Sequence, residues 1–281
     1  MKVFSLKSIV LFCLTGLFIG CNPNSKNDLD NKIQFDSLLV DKSYHLSGIA
    51  TNPKCSLQIR FVYPDDYSDK EILRLLQQEF VSGFFGDEYI SLTPQEAAEK
   101  YARDFIEAYK AEEENYKIEL ENHGPGTMEL WYSYNETSNN QIVYNRKDMI
   151  SFVVYKDCYY GGAHGAHTYI NRTIDLKTGL QISENEIFVD DYQDDLAKII
   201  VDEIALSNQV NVSELENIGF FNVDEIYPNK NFYVDETGIT YIFNEYEIAA
   251  YVVGPVSAAI PYEKIRHLLR KETPVSNIAF R

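Results

Sequence analysis

The chain has 281 residues, 43 acidic against 25 basic side chains, a formal charge of −18, and 14% aromatic residues that include 21 Tyr and 16 Phe. That charge excludes nucleic acid and anionic lipid surfaces as natural partners, since both would be repelled. The aromatic content excludes a disordered chain, and the length allows one large domain or two small ones.

Lys2 and Lys7 precede an apolar run over residues 9–19, and Gly20 stands before Cys21. A basic start, a short apolar core and small residues at a cut site describe a secretory signal. The run is too short for a spanning helix, which needs roughly 20 apolar residues. Leu17-Phe18-Ile19-Gly20-Cys21 resembles the bacterial lipobox. Residues 1–20 are therefore expected to be a lipoprotein signal peptide, with Cys21 carrying palmitate-type acyl chains as the first mature residue. Loss of Lys2 and Lys7 takes the basic count from 25 to 23 and the charge to −20. The expected location is the cell envelope, as a lipoprotein anchored to the outer membrane and facing the periplasm or the outside. Residues 21–32 are polar without periodicity and read as a flexible tether.

Cys55, Leu57, Ile59, Phe61 and Tyr63 alternate with polar positions and predict a strand, ended by Pro64-Asp65-Asp66. Ser68-Asp69-Lys70-Glu71 reads as a capping box before a helix carrying Ile72, Leu73, Leu76 and Phe80. Thr93-Pro94-Gln95-Glu96 is a second box, and Ala98, Tyr101, Ala102, Phe105 and Tyr109 form the buried stripe of its helix. Glu112, Glu113 and Glu114 oppose the dipole at that helix's end and predict fraying.

After the break at Gly124-Pro125-Gly126, residues 128–134, 141–146 and 149–156 read as strands, with 136–140 as a turn. A strand over 167–176, a helix over 190–206, a hairpin around Asp235-Glu236-Thr237, a strand over 256–260 and a short helix after Pro261 complete the order. Clustered strands and helices predict an α+β fold, two packed α/β subdomains with mostly antiparallel sheets flanked by helices. The division is placed near residue 150, giving units 33–150 and 151–275.

Two segments resemble a known pair of domain families. One is Tyr159-Tyr160-Gly161-Gly162-Ala163-His164-Gly165 with Ile174-Asp175-Leu176-Lys177-Thr178-Gly179. The other runs through Asn231-Phe232-Tyr233, Gly238, Phe243-Asn244-Glu245-Tyr246-Glu247-Ile248-Ala249, Gly254-Pro255 and Ile260-Pro261-Tyr262. Together they resemble the family of unknown function numbered 3298, and the part before residue 150 looks like its usual companion, family 4163. The resemblance implies an external domain of the type found in anti-sigma factors that bind lysozyme, and in peptidoglycan-modifying enzymes beside a separate deacetylase domain. Neither a cytosolic sigma-binding segment nor that deacetylase domain is among these residues, so neither activity is carried over.

The candidate ligand-binding residues are Tyr159, Tyr160, Gly161, Gly162, His164, His167 and Tyr246. Glycines allow close backbone approach, and Tyr joins contact area to a polar tip. A plain connecting turn with backbone-bonded histidines is the competing reading. For Tyr233, Tyr241, Tyr251 and Tyr262, as for the other tyrosines, the simpler role is core of a sheet-rich fold, and a subset exposed on one face would support binding. Cys158, His164 and His167 carry zinc-type donors, but three-residue spacing on glycine-rich backbone does not put two imidazoles on one face. No metal and no cofactor is expected. Cys55 and Cys158 form either a disulfide or two free thiols. There is no G-x-S-x-G elbow and no H-E-x-x-H, so no catalytic residue is named. The expected role is a non-catalytic binding module. Its partner would be a basic, lysozyme-like extracytoplasmic protein or a peptidoglycan fragment. The alternatives are a peptidoglycan hydrolase or deacetylase with an unrecognised site, and a structural envelope component.

Overall fold

The computed structural model describes residues 31–280 apart from 125, 127 and 128. The signal, Cys21 and nearly all of the tether lie outside the described residues. The fold is mixed α+β, with one six-stranded sheet, one three-stranded sheet and helices packed against both. Among the described residues no helix is long and apolar enough to cross a membrane.

The large sheet has the order β1 (Gln34–His45), β2 (Lys54–Asp66), β3 (Tyr134–Arg146), β4 (Met149–Tyr159), β5 (Ala166–Asp175) and β6 (Leu180–Gln181). Every pair is antiparallel except β2 with β3, which run parallel where Cys55–Arg60 faces Tyr134–Asn139. Helices α1 (Lys70–Phe85), α2 (Pro94–Lys110) and α3 (Glu113–His123) form that crossover. Phe80 and Phe84 of α1 pack on the sheet, with ring centroids 4.0 Å from Phe152 and 4.8 Å from Phe61 respectively. Each buried Phe contributes about 1.5–3 kcal/mol of transfer free energy. Gly83 keeps this contact close, because a Cβ there would sit 3.1 Å from the Phe152 ring.

The small sheet, β7 (Phe232–Val234), β8 (Gly238–Phe243) and β9 (Val256–Pro261), packs with the short α4 (Glu184–Ile187) and with α5 (Gln193–Ser207) around a second core. It docks on the other face of the large sheet: the Ser151 hydroxyl donates to Val234 O at 2.6 Å, and Val234 N donates to the Thr173 hydroxyl at 3.0 Å. Residue 150 lies in β4 of the large sheet, so the expected division runs through paired strands rather than between the two sheets.

Several local expectations are corrected. Strand β1 had no forecast. Its alternation is broken by charges, and it forms because β2 templates it from end to end. Asp66 ends β2 but Pro64 and Asp65 are still within it. The cap of α1 is Asp69, whose carboxylate accepts from Glu71 N and Ile72 N, one residue later than Ser68. Thr93 and Glu96 do form the second box. Glu112–Glu114 do not mark fraying, because α3 starts there and its N-terminal dipole favours them. Glu113 accepts from the Tyr44 hydroxyl at 2.9 Å and from Ser47 N at 2.8 Å.

In the expected strand 128–134 residue 128 lies outside the described residues, Glu129–Tyr132 are turns, and the strand begins at Tyr134. The expected turn 136–140 is the middle of β3. Glu136, Ser138 and Asn140 alternate into the helix-covered face and are buried, each with a polar partner waiting there.

Candidate functional site

The β4–β5 connection is the glycine-rich loop, and its sharp course has a steric cause. Gly161 has φ +84°, and a Cβ there would lie 2.5 Å from the Trp131 carbonyl oxygen. The Tyr159 hydroxyl donates to Gly162 O at 2.9 Å and closes the loop on itself. Loop residue His164 is exposed and hydrogen-bonds Gly165 O through Nδ1 at 2.8 Å. A carbonyl only accepts, so the proton sits on Nδ1 and Nε2 is free to accept from the Tyr246 hydroxyl, 3.1 Å away. The His164 ring stacks on Tyr251 at 3.8 Å between centroids, and Tyr251 stacks in turn on Tyr246 at 5.8 Å. Tyr246 has φ +66°, a strained conformation for a tyrosine, and the residue is 55% exposed. Two loops far apart in sequence thus present one stacked His–Tyr–Tyr shelf to solvent.

His167 stands beside this shelf, on the face of β5 turned toward the small sheet. Its Nδ1 is 2.7 Å from Glu245 Oε1 and its Nε2 is 3.8 Å from Asp157. Its backbone N–H donates to Glu245 Oε2 at 3.1 Å. The Glu245 hydrogen bond holds the His167 pKa above the usual imidazole value; burial opposes this, and the Glu245 and Asp157 charges add to it. Tyr155 and Tyr169 join His167, Glu245 and Tyr251 around a shallow cleft of ≈ 570 Å³. Val252, 88% exposed, forms its lip.

The seven expected binding residues do not form one site. His164, His167 and Tyr246 converge on the shelf and cleft. Tyr159, Gly161 and Gly162 shape the loop. Tyr160 points to the opposite face of the sheet, where its hydroxyl donates to Glu136. There the buried Glu136 carboxylate also accepts from the Tyr101 hydroxyl at 2.9 Å and from Ser138. Lys156 lies over the Tyr101 ring at 5.0 Å, and burial pushes its pKa down against the pull of Glu136. Burial pushes the Tyr101 and Tyr160 hydroxyls above the usual phenol range, with the Glu136 charge adding to it.

Cys158 faces this second cluster and not the histidines, since it pairs with Glu136 while Asp157 pairs with His167. The zinc donors therefore do not converge, and among the described residues no group of three or more His, Cys, Asp or Glu is placed to hold a metal ion. Cys55 and Cys158 are both free thiols. They stand on β2 and β4, with β3 between them. Two strand spacings, about 9.5 Å, exceed the Cα separation that a disulfide spans. Glu245, Asp157, Tyr155 and Tyr251 complete the cleft. Glu245 and Tyr251 stand within or beside the family-like stretch, but only the fold shows that they meet β5.

Residues 185–263 match the family model described as "Protein of unknown function (DUF3298)", and residues 51–167 match the model described as "Deacetylase PdaC". The latter model occupies the region expected to look like family 4163. No curated protein matches. A crystal structure of a DUF3298 family member from Bacteroides fragilis NCTC 9343 is similar at TM-score 0.83 and 28% identity, over 90% of this chain and 100% of that one. A DUF3298 family protein from Pseudomonas aeruginosa PAO1 shares the fold at TM-score 0.56 and 12% identity, over 86% and 96% of the two chains. Residues 185–263 are therefore similar to the DUF3298 family and residues 51–167 to the PdaC model, on a fold already seen in a DUF3298 family structure.

Proposed function

We propose that this chain is an envelope lipoprotein whose folded part binds a basic extracytoplasmic protein of the lysozyme type, or a strand of wall glycan, without transforming it. One observation carries the reading: the exposed His164–Tyr251–Tyr246 shelf, built from two separate loops and held in a strained backbone beside Glu245 and Asp157. Stacked tyrosines give contact area at low entropic cost and are typical anchors of protein interfaces. The acidic surface would steer a basic partner toward them. Titration calorimetry of the full chain with lysozyme tests this. Binding is expected at low salt and should weaken as salt rises. Tyr246→Ala should cost about 2 kcal/mol, a roughly thirtyfold loss. No heat at low salt removes lysozyme as the partner.

A second reading, a wall-acting deacetylase, is supported by the name of the model matching residues 51–167 and by a histidine held between two carboxylates. Release of acetate from an acetylated glycan, abolished in His167→Ala, would replace the binding reading.

A further inference from the structure

The large sheet ends differently at its two sides. Beyond the short β6, the β5 side is bonded by Glu245, Asn244 and Asn231 from the C-terminal unit. Strand β1, on the other side, spans 12 residues and pairs with β2 alone among the described residues. Just past the strand Leu46 N donates to Pro53 O at 3.0 Å, in step with the pairing of Tyr44 with Cys55. Bonded residues alternate along an antiparallel ladder. The even-numbered residues of β1 therefore bond to β2, and the N–H and C=O groups of Ser37, Leu39, Asp41 and Ser43 point away from the sheet. Ser37 N shows this directly: it donates to the adjacent Asp36 carboxylate at 2.7 Å, a local substitute for a neighbouring strand.

The side chains on this edge are exposed on both faces. Leu39, on the face away from the helices, is 77% exposed. Asp36 and Lys42, on the helix side, are exposed too, so the helix layer stops short of the edge. Charges on an edge strand ordinarily serve to repel other strands. Here their spacing makes the strand complementary to itself. Antiparallel pairing about a two-fold axis at Leu39 sets Leu39 against Leu39, Leu38 against Val40 and Ser37 against Asp41. It also sets Asp36 against Lys42, twice. Outward groups meet outward groups in this register, whereas a slip of one residue would break the ladder. A slip of two in one direction opposes Asp41 to Leu39, and in the other opposes Asp36 to Val40.

We propose that β1 is a docking edge for a second copy of this chain, joining two six-stranded sheets into one across a two-fold axis at Leu39. The interface is isologous, so each favourable pair off the axis occurs twice. Residues 37–41 supply about six backbone hydrogen bonds, and Asp36 exchanges its bond to Ser37 N for the Lys42 ammonium of the second copy. This edge lies across the sheet from the His164–Tyr246 shelf, and the proposal does not rest on the binding reading or on the anchor.

Disulfide trapping of the full-length chain, in detergent with micelles in excess over protein, tests the register. Leu39→Cys places two thiols across the axis with Cα atoms about 5.5 Å apart, within the range that a disulfide spans. It should cross-link to itself under mild oxidation. Ser37→Cys and Asp41→Cys should each link poorly alone, by roughly tenfold in rate, but should link to one another when mixed, because those positions face each other. The native chain, with Cys55 and Cys158 free, is the control. Sedimentation gives an independent measure. The native chain should dimerise at about 10–100 μM, the range of a small interface. Lys42→Asp should weaken this about tenfold by opposing like charges twice, and an equimolar mixture with Asp36→Lys should restore it. All of these positions are exposed, so the variants leave the core intact. A monomer at every concentration, self-linking of Ser37→Cys as fast as that of Leu39→Cys, or no rescue in the charge-swapped mixture overturns the proposal.

Discussion

At the scale of single residues, the two carboxylate clusters on opposite faces of β4 behave differently. His167 stands between Glu245 and Asp157, and its pKa is raised in the fold above the usual 6.5. A raised imidazole pKa means that the folded state binds the proton more tightly, so the charged pair contributes fully below about pH 6.5. The contribution is lost as pH rises through the folded value. Because His167 is partly exposed, the expected size is at most on the order of 1 kcal/mol. Melting curves of the native chain and His167→Asn should differ more at about pH 5.5 than at about pH 8.5; an advantage growing with pH refutes this. Glu136 poses the opposite case. Its carboxylate is buried and serves three hydroxyl donors, so Glu136→Gln leaves at least one of them facing an N–H. A loss of about 2 kcal/mol is expected from the denaturant midpoint. Neither cluster could be read from spacing. His167 and Glu245 are 78 residues apart, and Tyr101 and Glu136 are 35 apart on a helix and a strand that meet only after folding.

At the scale of elements, the alternating and helical apolar patterns foretold β2, α1, α2, α5 and the β7–β8 hairpin, because those elements bury one face against a core. The polar β3 escaped for a physical reason. Glu-Thr-Ser-Asn-Asn has low strand propensity, but its inward residues exchange hydrogen bonds with neighbours supplied by α2 and β2. Asn140 even copies a ladder rung, accepting from Val62 N at 2.7 Å and donating to Val62 O at 2.8 Å where the parallel pairing stops. The β5 edge shows the same principle on a larger scale. Outside its short pairing with β6, its backbone is bonded by side chains of the C-terminal unit. Glu245 accepts from His167 N, Asn244 brackets Tyr169, and Asn231 accepts from Asn171 N at 2.8 Å while donating to Tyr169 O at 3.0 Å. An edge that would otherwise invite strand addition is thereby closed. Asn231→Ala would leave the buried Asn171 N–H without a partner, while Tyr169 O keeps its bond from Asn244, at about 1–3 kcal/mol. Amide exchange at Asn171 should accelerate accordingly, while amides of β1 and β2 keep their rates; uniform acceleration would show that the side-chain rungs have no local role.

At the scale of the whole molecule, the proposed anchor and the acidic surface act together. A single acyl chain gives marginal membrane affinity, and each added methylene contributes about 0.8 kcal/mol, so the multiple chains of a lipoprotein cysteine hold firmly. A flexible tether over residues 21–32 would have an r.m.s. length of roughly 20 Å. That is about two Debye lengths at physiological salt, so the folded part of the proposed lipoprotein, repelled by anionic headgroups, would stand clear with its shelf free to meet a partner. Two measurements follow from this arrangement. Cys21→Ser should move the protein from the detergent-requiring fraction to the soluble one, or leave it uncleaved, while the native N-terminus carries fatty acid by mass spectrometry. At about 0.01 M salt, where the Debye length grows to about 30 Å and spans the tether, the anchored chain should capture a basic partner faster on vesicles containing anionic lipid than on neutral vesicles, because the membrane field then also concentrates cations near the shelf. Added salt should erase that difference before it erases binding, since the steering acts over distance and the stacked tyrosines act in contact. Capture equally fast on both vesicles at low salt would mean that the tether leaves the site beyond reach of the membrane's field.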